Sequence, residues 1–195
     1  MGQDLNAICV FCGASDSADP ALLVAAAQLG RDLARERLAL VYGGGGVGLM
    51  GACALAAHNA GGKVLGVIPK FLKVRERRLD VVETIVVDSM HERKMIMFER
   101  ADGFAILPGG IGTLEEVVEL LSWRRLDLHA KPVVFYNPNG FWNPLFALFQ
   151  HTVDHNLTPS EFMQSWTSVD QIEDVIPALR AMATAAPVSI DVARL

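Results

Sequence analysis

The segment LALVYGGGGVGLMG, residues 38–51, carries the fold in outline. An unbroken apolar run, LALVY, leads straight into a glycine cluster, and a helical stretch follows from about residue 49 to residue 60. Alternation of apolar and polar residues would mark a strand with one wet face. A continuous apolar run marks one covered on both faces, as in a parallel sheet. Strand, glycine turn and helix in that order form half of a right-handed crossover unit.

The same pattern repeats in both directions. Upstream, AICVF at 7–11 reads as a strand, and a helix follows over 20–37, with Leu22, Leu23, Ala26, Leu29 and Leu33 at helical spacing and Pro20 suited to the first turn. Downstream, Gly61 and Gly62 stop the helix before a strand at 63–68, and 69–80 reads as a charged connection. Further strands are expected at 84–87, 104–107 and 133–136, with helices over 90–101, about 113–126 and about 141–155. A final helix is expected over 169–183, with Ser168 and Gln171 in capping-box positions, and the last dozen residues should fray. The expected fold is therefore α/β: a doubly wound, Rossmann-like parallel sheet with helices on both faces, in one domain spanning 1–195. In such sheets ligands sit beyond the carboxyl ends of the strands, so the strand-to-helix turns are where function is to be sought.

Composition narrows the partners. The chain has 195 residues, 51% of them hydrophobic, and a formal net charge of −5 from 17 basic and 22 acidic side chains. The apolar content suffices for a core and excludes a disordered chain. An acidic balance argues against nucleic acid or an anionic membrane as the main partner, though not against a small anion that feels only the local field. Cys9, Cys12 and Cys53 are too few for a disulfide scaffold, and no signal peptide or membrane-spanning run is visible, so a cytoplasmic location is expected.

Two glycine turns stand out. The first, 43–51, contains GxGxxG at Gly46, Gly48 and Gly51, but the strand that follows ends Ile68-Pro69-Lys70 without the acidic residue that holds a ribose in dinucleotide sites. It reads as the floor of a nucleotide cleft, with Gly44, Gly45 and Met50 as expected substrate contacts. The second, PGGIGTLEE at 108–116, directly follows the strand FAIL. Glycines let successive N–H groups converge, and the helix adds the positive end of its dipole, which suits an anion. No Walker lysine follows, and a monophosphate is the economical ligand. Thr113 and Glu116 also satisfy the Thr-x-x-Glu capping box, in which Glu116 would only reach back to the chain.

Before that turn, MHERKMIMF at 90–98 places Arg93 on a helical face with Met90 and Met97, and Lys94 with Met90 and Phe98. A guanidinium there, at the ligand-bearing edge, can address a phosphate, a ribose or a base. The run Arg75–Arg78 reads as a solvated loop, and His151 with His155 lacks the acid of a metal site. Cys9 and Cys12, three apart on a strand, point to opposite faces and make no redox pair. No metal and no organic cofactor is expected.

VYGGGGVGLMG at 41–51, SMHERK at 89–94 and PGGIGTLEE at 108–116, in this order and spacing, resemble the Lonely Guy family, the cytokinin riboside 5'-monophosphate phosphoribohydrolases formerly mislabelled lysine decarboxylases. The resemblance runs from about residue 7 to residue 183. It implies a Rossmann-like homodimer that cleaves the N-glycosidic bond of a purine nucleoside 5'-monophosphate, without a metal or cofactor. It assigns catalysis to Arg93 and Glu116, and the phosphoribosyl part to Gly110, Ile111, Gly112, Thr113, Leu114, Glu115 and Glu116. Lys94, Glu76 and Ser122 follow as further contacts, Ser122 standing where the family often has Thr, and Ser15 as a lining residue. Two alternatives remain open at this level: a nucleotide or molybdenum-cofactor carrier on the same fold, and an AMP nucleosidase with no preference for modified adenines. Trp123, Leu120 and Leu126 give the helix after the second turn an apolar side that suits either a dimer or the core.

Overall fold

The computed structural model describes residues 4–73 and 77–185. Strands β1 (Ala7–Phe11), β2 (Ala39–Tyr42), β3 (Val64–Pro69), β4 (Glu83–Val87), β5 (Gly103–Ile106), β6 (Val133–Tyr136) and β7 (Thr167–Val169) form one sheet in the order β4-β3-β2-β1-β5-β6-β7. Every pairing is parallel, from Cys9 beside Val41 and Phe104 to Phe135 beside Ser168. The chain winds outward from β1 to β4, crosses back to β5 beside β1, and winds outward again. The direction reverses between β1 and β5, where a crevice opens at the carboxyl edge.

Helices α1 (Pro20–Arg35), α2 (Gly48–Asn59) and α6 (Val175–Thr184) bury Leu29, Leu33, Met50, Cys53, Val175 and Leu179 against one face of the sheet. Helices α3 (Met90–Glu99), α4 (Ile111–Arg125) and α5 (Asn143–Asp154) cover the other face with Met97, Val117, Leu120, Phe146 and Phe149. Cys9 lies in the second core and Cys12 in the first, as the strand alternation requires. Local signals set most boundaries. Asp19 accepts from the Ala21 amide at the start of α1, Arg37 turns the chain with a φ of 58° after it, and the Ser89 hydroxyl accepts from the Glu92 amide to cap α3. Among the described residues no helix is long and apolar enough to cross a membrane.

The C-terminal expectation needs correction. Residues 167–169 form β7, with Ser168 in register with Phe135, and Gln171 precedes a single 3₁₀ turn at Ile172–Asp174. The helix starts only at Val175. Pairing with β6 takes the backbone that the capping signature would have used, and a three-residue strand carries no periodicity to announce itself. The expected fraying of the last dozen residues concerns positions that, after Thr184 and Ala185, fall outside the described residues.

Candidate active site at the β1–β5 crevice

The two glycine turns look alike in sequence and are used in opposite ways. At the first, the amides of Leu49 and Met50 donate to the Gly13 carbonyl at 3.0 and 3.3 Å, so the N-terminus of α2 is capped by the chain itself. Its glycines serve close packing. A Cβ on Gly48 would lie 2.7 Å from the Ser15 backbone, and one on Gly46 would lie 2.1 Å from the Arg77 carbonyl oxygen. Gly44 and Gly45 are buried in this turn, Gly44 with a φ of 81° that favours glycine.

The second turn is open. Gly110 is the N-cap of α4 with no side chain capping it, and a Cβ on Gly110 or Gly112 would meet nothing within 4 Å. Among the described residues, Leu114 is the first in this turn whose amide reaches a carbonyl, that of Gly110 at 3.0 Å. The earlier amides of Ile111, Gly112 and Thr113 sit at the dipole's positive end, ready for an anion. The helix begins ahead of Thr113, which is buried inside its first turn, so the capping-box reading of Thr113 and Glu116 fails.

Both turns border a cavity of about 370 Å³. Ser15, Met50, Arg93, Gly110, Gly112, Thr113 and Glu116 line it, and sequence reasoning passed over Gly43, Val10 and Met97, which also do. Arg93 is 4% exposed. Its Nε donates to the Val67 carbonyl at 3.2 Å and one Nη to the Gly43 carbonyl at 2.9 Å, while the other Nη stands 3.9 Å from Glu116 Oε1. Cys12 lies in the wall as well, but burial pushes its thiol well above its ordinary range, with Cys53, Glu116 and Cys9 adding to the shift, so it is no nucleophile.

The other expected contacts that the structure describes on α3 and α4 are not in the wall of this cavity. Lys94 bridges to Glu115 and, at 2.8 Å, to Glu119. Partial desolvation works against its charge, but the hydrogen bonds it donates to the two carboxylates, with their negative charge, outweigh it and hold its pKa above the ordinary lysine value. Ile111 points to solvent, Leu114 packs against the core, and Ser122 is exposed on α4. Glu76 lies outside the described residues. Next to it in sequence, Arg77 pairs with Asp16, the neighbour of Ser15, and both side chains stay mostly exposed, as a solvated face requires. Leu120 and Trp123 belong to the core side of α4, Trp123 edge-on to Phe98, which leaves Leu126 exposed. His155 Nδ1 is engaged with the His151 carbonyl, and the described residues contain no cluster of three or more metal-binding side chains.

Fold and cavity define a Rossmann-like α/β protein with a nucleotide-sized cleft at its switch point, furnished with an arginine–carboxylate pair and an open helix N-terminus. A family model described as possible lysine decarboxylase matches residues 50–179. The chain is 48% identical over 148 residues to a cytokinin riboside 5'-monophosphate phosphoribohydrolase of Arabidopsis thaliana, covering 75% of this chain and 68% of that protein. A second Arabidopsis enzyme of the same name is 40% identical over 175 residues, covering 89% of this chain and 77% of its own. The molybdenum cofactor carrier protein of Chlamydomonas reinhardtii superposes with a TM-score of 0.70 at 23% identity, over 92% of this chain and 99% of that one, a likeness of fold. The protein belongs to the Lonely Guy family, whose family model still bears the decarboxylase description.

That description implies pyridoxal phosphate on a lysine, and the residues do not fit it. Schiff-base chemistry needs a lysine that can lose its proton beside the cavity. Among the described residues no lysine lines the cavity, and Lys94, the one on the adjoining helix, is held protonated between two carboxylates.

Proposed function

We propose that this protein hydrolyses the N-glycosidic bond of adenosine 5'-monophosphates carrying N6 substituents, releasing the free base and ribose 5-phosphate. The observation that carries the reading is the pairing, in one cavity, of Arg93 and Glu116 at 3.9 Å with the open amides of the second glycine turn. Family membership and 40–48% identity to enzymes with that name support it.

The chemistry follows from the charges. Leaving of the base builds positive charge on the ribose ring in an oxocarbenium-like transition state. A carboxylate fixed beside that ring stabilises the cation and orients the incoming water, which is the role given to Glu116. Water adds its oxygen to the anomeric carbon, and one of its protons leaves with the base. Arg93, fixed by two carbonyls, offers N–H groups that offset charge building on the departing purine. The phosphate at α4 supplies binding energy remote from the reacting bond, which positions the ribose. None of these steps calls for a metal or an organic cofactor.

A homodimer and a cytoplasmic location complete the reading. Ile111, 83% exposed, and Val118 and Ser122 lie on the outer side of α4, with Leu126 and Leu128 exposed beyond them, an apolar strip that suits a second copy. In such a dimer Ser122 serves as a substrate contact only across the interface. The unpaired, buried thiols of Cys9, Cys12 and Cys53 suit a reducing compartment. Incubation with AMP and with isopentenyladenosine monophosphate, followed by chromatography for free base, tests the activity. Binding without cleavage of either would favour a carrier, equal cleavage a general AMP nucleosidase, and sedimentation as monomer only would remove the dimer.

A further inference from the structure

We infer that Gly43 is a positioning residue for Arg93: the first glycine turn is a socket that aims the guanidinium at Glu116, and Gly43 is glycine so that the guanidinium fits. The inference rests on the reading of Arg93 as a catalytic group. Two carbonyls hold the side chain, Gly43 at the end of β2 and Val67 in β3, so neighbouring parallel strands fix both the Nε edge and one Nη of the same fork. The other Nη, 3.8 Å from the Met90 sulfur, is the atom that stands 3.9 Å from Glu116 Oε1. A Cβ on Gly43 would stand 2.0 Å from the bound Nη2, 3.1 Å from Cζ and 3.0 Å from the Met50 sulfur. All of these are side-chain atoms, so the substitution displaces the guanidinium rather than the backbone. Gly43 also lacks the positive φ of Gly44, so alanine is compatible with its backbone. The room a Cβ would take is the room the guanidinium occupies, and no turn geometry requires glycine there.

The test compares Gly43→Ala, Arg93→Ala, Arg93→Lys and the Gly43→Ala/Arg93→Lys double variant, each measured for kcat, KM and thermal melting with the nucleotide the parent enzyme cleaves. The expected result for Gly43→Ala is a near-parent melting temperature, with kcat down roughly 10- to 100-fold, the scale of a misplaced catalytic group. KM should move far less, because the phosphate is held at the other turn. In the Arg93→Lys background, where no second Nη is present to be displaced, the same alanine should cost less than about threefold. An unchanged kcat in Gly43→Ala, or an equal loss in both backgrounds, overturns the inference. Should Gly43→Ala fail to fold, the inference requires that adding Arg93→Ala restore melting, and no restoration overturns it. A parent-like kcat in Arg93→Ala would instead bring down the catalytic reading of Arg93 itself.

Discussion

The guanidinium of Arg93 and the carboxylate of Glu116 face each other at 3.9 Å, one side chain 5% and the other 10% exposed, on two different helices. Neither helix needs this contact to form. α3 is capped by Ser89 and α4 begins at Gly110, so the pair is brought together by the crossing from β4 to β5 and the turn that follows it. Opposite charges sheltered from water interact strongly and lose much if one partner is removed. That combination suits a site in which charge develops and is neutralised.

Removing the charge of Glu116 while keeping its shape should abolish most of the turnover. Glu116→Gln is expected to lower kcat by about 100- to 10,000-fold, the range for a general acid–base or electrostatic group. Nucleotide binding should persist, because the amides of the second turn are untouched. Calorimetric titration with AMP beside a ribose 5-phosphate release assay checks both halves, and unchanged turnover would refute the assignment.

The second turn predicts dependence on the phosphate. Parent enzyme should prefer the monophosphate over the corresponding nucleoside by at least about 100-fold in kcat/KM, since remote binding energy positions the ribose. In Gly109→Ala a Cβ would meet Thr113 Oγ1 at 2.1 Å and the Gly13 amide nitrogen at 3.0 Å, which forces the turn out of shape. That variant should lose most of the preference, chiefly through a higher KM for the monophosphate. An undiminished preference would place the phosphate elsewhere.

Acid should weaken the fold through His129. Its Nδ1 accepts from the Lys131 amide at 3.2 Å and its Nε2 is bound to the Leu120 carbonyl at 3.0 Å, an arrangement that admits only the neutral ring. Burial lowers its pKa, and the nearby Arg124 and Lys131 charges add to this, against an opposing effect from the Leu120 carbonyl. Above the unfolded value of about 6.5 both states are neutral and the contribution is complete. Below that pH the unfolded chain binds a proton that the folded protein resists, so stability falls as pH drops toward the lower folded pKa. Melting temperatures between pH 7.5 and 5 should decline, and His129→Gln should flatten the decline. Parallel curves for parent and variant would count against this.

The α5 face of the sheet should be costly to empty. Phe135 is fully buried and packs edge-on against Trp142, Phe146 and Trp166. Phe135→Ala should remove about 3–5 kcal/mol. For a chain of this size that corresponds to a melting temperature lower by roughly 6–20 °C. The shift is readable by calorimetry, and a change within 2–3 °C, about 1 kcal/mol, would mean the cavity collapses unusually well.

Much of the architecture is legible in local sequence. The apolar runs of β1, β2 and β6 and the helices between them announce themselves by period, and the strand-to-helix glycine turns mark the edge where the site lies. Arg93 and Glu116 are legible as charged residues on helices that open at that edge. β7 is not, because its three residues are strand only by virtue of pairing with β6. Gly43 is equally silent, since its glycine is explained by a side chain 50 positions away.

The sequence by itself determined the alternation of strands and helices, the two glycine turns and the charged helix before the second. Each of these is written in spacings of a few residues, where backbone conformation is decided by neighbours along the chain. Only the tertiary structure decided which turn is open. The Gly13 carbonyl arrives from the end of β1 to cap α2, while among the described residues no side chain or distant carbonyl caps α4, and Arg93 fills the space beside Gly43. Hydrogen bonds between segments distant in sequence made that choice, and no local pattern encodes where a distant carbonyl will come to rest.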